Sequence, residues 1–382
     1  MHIVLCPDSF KGSLSSPAVA QAMADGILQE WPDSTLEIRP MADGGEGMAA
    51  IVNEALDGKW HQTRIHGPEG RPVLAEWGYE PQSRQAVIEV ASACGLGLLN
   101  DTDPDIWRRD TRGVGELILA ALDAGATRIL IGLGGSGTND AGAGMLAALG
   151  VVFKDVSGRP LPPNPSALGA LHTVDFSRLD PRLSGTKLIV LADVDNPLTG
   201  AQGASTVFGP QKGLPSHQID EMDARIRHIA HRIEDSRTTL PGSTDQPGTG
   251  AAGGLGFALI AVLGATRYFG SRYIADLIGL DDAIAHADLI ITGEGRIDRQ
   301  TSRGKVVSEV VRRAREQIKP VLAIAGSVHL SAERVHSMGL TAAWSLCTAQ
   351  ISLPEAIARS SELIAQRTKQ AVDDWRTSHS AR

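Results

Sequence analysis

The sequence predicts an α/β protein of two domains, a discontinuous parallel-sheet domain interrupted by a large inserted α/β domain. Strand-then-helix alternation is written at both ends of the chain, hairpin-like segments break it after residue 60, and 382 residues exceed the size at which one hydrophobic core usually stops growing. Two N-terminal and three C-terminal strands complete one parallel sheet only if the middle of the chain is a separate body. The expected division is 1–60 with 285–382 for the parallel-sheet domain and 61–284 for the insert.

The first strand is HIVLC (His2 to Cys6), stopped by Pro7. Ser16-Pro17 supplies an N-cap and a first-turn proline for a helix whose inner face carries Val19, Met23 and Ile27. A second strand, TLEIRP, leads through ADGGEG (Ala42 to Gly47) into a helix with Met48, Ile51, Val52, Ala55 and Leu56 at helical spacing. Trp60 to Val90 then reads as short strands separated by HGPEGRP and YEPQSRQ, which is hairpin punctuation. TRGVGELILAALDAG is an amphipathic helix with Gly125 as its C′ residue. VVF, KLIVLADVDNP, a charged helix over Gln218 to Asp235 and a buried helix FALIAVLG continue the insert. From Ala287 the alternation returns with ADLIITGEG, a helix rich in Val306, Val307, Val310 and Val311, the strands PVLAIAGS and AAWSLC, and a final helix.

The most informative stretch is Ala126 to Gly150, where a β-branched strand breaks into Gly132, Gly134, Gly135 and Gly137 before a helix. Glycine admits positive φ and lets backbone N–H groups approach a ligand, so an anion-binding turn is one reading. The same residues spell G-x-G-x-x-G with Asp155 about 20 residues on, the dinucleotide fingerprint. Against that, Asp140 places a carboxylate where a pyrophosphate would meet the helix. Glycines kept for close packing are the third reading.

A net charge of −8 argues against a general nucleic-acid or anionic-membrane binder. The N-terminus lacks a basic leader and the longest apolar stretch is too short to span a bilayer, so a soluble, cytoplasmic protein is expected. Cys6, Cys94 and Cys347 show no C-x-x-C and read as reduced thiols; His228 and His231 share a helical face without a third ligand.

Ligands of open parallel sheets collect at the carboxyl ends of the strands, and the loops there are unusually polar. PDSFKGS offers Asp8, Ser9, Lys11 and Ser13 ahead of a helix; Asp43 and Glu46 flank Gly44 and Gly45; later loops add Glu294, Arg296, Asp298 and Lys305. In the insert, Asp193 and Asp195 form a D-x-D at a strand end suited to magnesium, Lys212 sits in FGPQKG, and Gly250, Gly253 and Gly254 open another helix. Anion cradles, lysines and paired acids are what phosphoryl transfer requires. No G-x-x-x-x-G-K-[ST], H-R-D or D-F-G occurs, so neither large kinase class is indicated.

PDSFKGSLSS, ADGGEG, TRGVGELILAAL, GLGGSGTNDAGAG, DVDNPLTGAQGASTVFGPQKG, GTGAAGGLG and ITGEGRID with Gly304-Lys305 together resemble the bacterial type 1 glycerate kinase family, in the family's order and over nearly the whole chain. The resemblance implies a flavodoxin-like domain with an inserted α/β domain, and ATP- and magnesium-dependent phosphorylation of D-glycerate to 2-phosphoglycerate in an interdomain cleft, an alcohol-group phosphotransferase. On that basis Lys11, Asp193 and Asp43 are the expected catalytic residues. Asp8, Ser9, Ser13, Glu46, Gly134, Gly135, Ser136, Thr138, Asn139, Gly253, Gly254, Glu294, Asp298 and Lys305 are expected to hold substrate or phosphate, and Asp193 and Asp195 the metal. The partners are then D-glycerate and the nucleotide, without nucleic acid or membrane; a homodimer is compatible with the sequence. Formation of 3-phosphoglycerate, an NAD-dependent oxidoreductase and a non-catalytic sugar-acid sensor are the alternatives.

Overall fold

The structure, a computed structural model, describes residues 1–99, 105–236, 243–298, 301 and 306–379. The chain divides into two compact units, one made of Met1–Asp43 with Ser271–Arg382 and the other of Gly44–Gly270. In chain order the strands are β1 (His2–Leu5), β2 (Thr35–Ile38), β3 (Lys59–His66), β4 (Pro72–Glu80), β5 (Gln85–Glu89) and β6 (Arg128–Gly132). They continue as β7 (Val152–Lys154), β8 (Thr173–Asp175), β9 (Lys187–Leu191), β10 (Thr266–Tyr268), β11 (Leu289–Ile297), β12 (Val321–Val328) and β13 (Ala342–Ser345).

In the first unit the sheet order is β13-β12-β11-β1-β2, with every pair parallel. Counted within the unit this is 2-1-3-4-5, the flavodoxin-like order, which reverses direction between β1 and β11. Ile3, Leu5, Ile291 and Ile324 are fully buried because helices cover both faces of a parallel sheet. Two of those helices, Ser16–Glu30 and Ser360–His379, approach so closely that a Cβ on Gly26 would collide with the backbone of Ala365.

In the second unit the order is β10-β9-β6-β5-β4-β3; β3, β4 and β5 form the expected antiparallel meander, and β5, β6, β9 and β10 are parallel. The VVF segment does form a strand, but β7 pairs with β8 in a separate two-stranded sheet. FALIAVLG becomes a buried π-helical segment, Phe257–Val262.

The units meet in sequence at Gly44 and Gly270, earlier on both sides than the expected 60 and 284. Local packing explains both shifts. The helix Met48–Ala55 buries Ile51 and Val52 and donates the Ala49 N–H to Glu89 at the end of β5 (2.6 Å), so it belongs with the insert. The helices Gly270–Leu277 and Leu280–His286 supply Asp276 and Asp281 to buried Arg313, each at 2.6 Å, and belong with the first unit.

Candidate active site

A parallel sheet of this order binds ligands beyond the carboxyl ends of the strands at its switch point, here β1 and β11. Asp8 follows β1 and donates its N–H to the Gly293 carbonyl of β11 (2.8 Å), while Thr292 Oγ1 donates to the Cys6 carbonyl (2.9 Å). The Asp8 carboxylate accepts the Ser9 N–H at 2.7 Å. Burial, then the charge of Asp43, then that of Glu294, push the Asp8 carboxyl up to about 8, against the opposing pull of the Ser9 N–H and Lys11. Two expected acids from separate loops and the expected lysine therefore act electrostatically on Asp8. Lys11 is exposed, and Ser9 and Ser13 are half-buried in the same turn, where the Ser13 N–H returns to the Phe10 carbonyl (2.8 Å). Asp298 is paired with Arg296 (3.0 Å). Lys305 lies outside the described residues.

In the second unit the three glycine-rich motifs converge. The Gly134 N–H donates to the Gly44 carbonyl (3.3 Å), and a Cβ on Gly134 would overlap Gly45 Cα. Gly253 and Gly254 adopt positive φ, +68° and +91°, and lie against the backbone of Thr138 to Ala141, where the Ala141 N–H reaches the Gly253 carbonyl (3.0 Å). Packing thus accounts for these glycines. Glu46 is exposed on the first of the loops. Ser136, Thr138 and Asn139 are buried, and Asn139 donates to Ser205 Oγ (3.0 Å); Gly135 is the exposed member of the turn.

Asp140 decides between the readings of this loop. It is wholly buried, and its carboxylate accepts from Thr111 N (2.9 Å), Thr111 Oγ1 (2.8 Å), Gly142 N (3.0 Å) and Gly144 N (3.0 Å). The start of the helix Ala143–Ala148 is therefore filled by the chain's own carboxylate rather than left for a pyrophosphate. Asp155, the fingerprint's expected ribose ligand, turns its carboxylate to Ser157 and Arg159 instead. The dinucleotide motif is a coincidence of packing glycines.

At the end of β9, Asp195 is ion-paired with Arg267 (2.6 Å) and Asp193 accepts the Gly270 N–H (2.5 Å). The two members of the D-x-D have different partners, and among the described residues no group of three or more His, Cys, Asp or Glu forms a metal site.

The expected set missed residues that the structure makes prominent. Glu89 is held by burial at about 7 while it caps the helix Met48–Ala55; its sequence signal is an acid ending the apolar strand QAVIE. Lys212, read in FGPQKG but not counted as a site residue, lies buried beneath the glycine turn, its ammonium on Ser136 Oγ and the Thr138 carbonyl, both 2.8 Å. Buried Arg109 donates to the Gly137 and Lys212 carbonyls (3.3 and 2.7 Å).

Comparison with known proteins agrees with this architecture. The model of the Glycerate kinase family matches residues 3–376. The glycerate kinase of Bacillus subtilis (strain 168) is 42% identical over 374 residues, 97% of either chain, and the glycerate 2-kinase of Escherichia coli (strain K12) is 43% identical over 356 residues, 93% of either chain. The crystal structure of a protein described as glycerate kinase 2 from Salmonella typhimurium LT2 superposes with a TM-score of 0.83 at 39% identity, covering 100% of this chain and 99% of the other. The chain belongs to the glycerate kinase family.

Proposed function

We propose that the protein transfers the γ-phosphoryl group of ATP to the 2-hydroxyl of D-glycerate, giving 2-phosphoglycerate and ADP. The observation that carries this reading is the near full-length match, at 43% identity, to a protein named glycerate 2-kinase. The carboxylate group around Asp8 supports it chemically. In the transfer an O–P bond forms to glycerate, the bond to the ADP oxygen breaks, and the hydroxyl proton needs an acceptor. A carboxyl held near 8 by burial, Asp43 and Glu294 is matched to that task close to neutral pH.

Lys11, exposed beside this group, takes an anionic part of a reactant. Asp43 keeps the Asp8 proton affinity high, and in this proposal Ser9, Ser13, Glu294, Asp298 and Lys305 complete the binding set of the first unit, while Glu46 is a substrate-binding residue of the second. Magnesium enters with the nucleotide as the MgATP substrate, and such an ion needs one or two protein carboxylates beside the phosphate oxygens. Asp193 and Asp195 are the acids assigned to it in this proposal, with Asp193 as the principal ligand because Asp195 would have to give up its ion pair with Arg267. In the second unit the turn Gly134 to Asn139 is the anion-binding loop of this proposal, with Gly253 and Gly254 as its packing support. Free thiols at Cys6, Cys94 and Cys347 suit a cytoplasmic setting.

A phosphorus NMR time course of the purified protein with ATP, magnesium and D-glycerate tests this. A growing 2-phosphoglycerate resonance is expected. A 3-phosphoglycerate resonance overturns the position of transfer, and intact ATP beside bound glycerate overturns the reaction.

A further inference from the structure

Lys212 ends the turn Pro210–Lys212 and is 4% exposed. Its ammonium donates to two neutral acceptors, Ser136 Oγ and the Thr138 carbonyl. The carboxyl that acts on it, Asp140, is itself pushed above the ordinary carboxylate range by burial and spends its oxygens on Thr111, Gly142 and Gly144. A buried ammonium with neutral partners is costly to keep, and an apolar side chain would fill the same space at lower cost. Its charge serves something other than folding.

What lies above it is an anion-shaped feature. Because Ser136 Oγ accepts from Lys212, its own hydroxyl proton is directed away from the ammonium. Among the described residues, the consecutive N–H groups of Gly135 and Ser136 have no hydrogen-bond partner, and Gly135 sits at φ +73° and is exposed. Successive unpaired N–H groups at such a turn make a concavity for an anion.

We propose that Lys212 is a positioning residue that turns Gly134–Ser136 into an anion subsite, its ammonium fixing and polarising Ser136 so that the hydroxyl and the adjacent N–H groups take a carboxylate or phosphate oxygen. The assignment of that oxygen to a reactant rests on the kinase reading; the subsite itself does not. Glycerate supplies a carboxylate and the nucleotide a phosphate, and the two are told apart by which one responds.

Burial brings Lys212 down to about 8, so its charge fades as the pH rises from 7 to 9 and anion affinity falls with it. The charged and titratable groups that act on it are the Cys94 thiol and Asp140, with Asp110 acting in turn on Cys94, and Arg109 donates to the Lys212 carbonyl and lies 3.9 Å from Glu69. Asp110, held at about 6, is already ionised across that window.

The test follows the Lys212 ammonium directly in the full-length wild type carrying carbon-13 at the lysine ε position, with its resonance assigned by Lys212→Arg. Glycerate, a non-hydrolysable ATP analogue and inorganic phosphate are titrated separately. At least one probe is expected to move the Lys212 midpoint upward, since a bound anion favours the ammonium. The matching KM is expected to rise about tenfold in Lys212→Met with kcat changed far less, to lose its increase above pH 8, and to recover in part in Lys212→Arg. An unmoved midpoint with all three probes overturns the proposal, as does Lys212→Met that folds and keeps both KM values. If Lys212→Met does not fold, the wild-type titration decides alone. Absence of kinase turnover in the wild type sinks the kinase reading, while the phosphate titration still judges the subsite.

Discussion

Replacing Asp8 by Asn separates the two consequences of its environment. Asn keeps the shape and an oxygen for the Ser9 N–H, but cannot ionise. The Asp8 carboxyl rises by about four units from its ordinary 3.8, and at about 1.36 kcal/mol per unit the folded state is opposed by up to about 5 kcal/mol once the group is ionised. A raised acid leaves stability intact below its unfolded value, near 4, and withdraws it as the pH climbs to about 8. Asp8→Asn is therefore expected to melt above the wild type at pH 8, by about 2–4 °C for each kcal/mol retained, with the difference closing towards pH 4. Its kcat is expected to fall by about 100-fold or more with the loss of the proton acceptor. Differential scanning calorimetry from pH 4 to 8 and steady-state kinetics read the two effects. A kcat within about threefold of wild type refutes the proton-acceptor role, and a melting difference that does not vary with pH refutes the account of why the carboxyl's proton affinity is raised.

Gly134→Ala places a Cβ against Gly45 and is expected to cost about 1–3 kcal/mol, seen as a lowered melting temperature of the second unit. Asp140→Ala strips four donors of a buried acceptor and is expected to cost at least about 3 kcal/mol in denaturant unfolding, with no recovery from added nucleotide. Asp193→Asn is expected to raise the magnesium concentration for half-maximal turnover about tenfold, whereas Asp195→Asn changes it far less; equal effects of the two remove the distinction drawn from Arg267.

The sequence by itself determined the architecture, because strand and helix periodicities are local and survive translation into structure with small changes of boundary. His2–Leu5, Thr35–Ile38 and the three C-terminal strands stand where their apolar runs placed them, and the hairpin punctuation after residue 60 became the β3-β4-β5 meander. The polar loops behind β1 and β2 were legible too, since acids and lysines at strand ends have no packing role to explain them. What each glycine was for was not legible. Glycine looks the same in a sequence whether it clears space for a ligand or for another backbone, and only the approach of Gly134 to Gly45 and of Gly253 to Thr138 separates the two. Partner choice was equally hidden: Asp195 reads as a cation ligand until Arg267, 72 positions away, arrives at its carboxylate. Lys212 and Ser136 lie 76 residues apart, and the depressed proton affinity of that lysine exists only because tertiary packing removes water from around it. Burial is a property of the folded chain, so of the groups whose chemistry depends on it, Asp8 and Lys212 could be named from the sequence but not ranked, and Glu89 was not named at all.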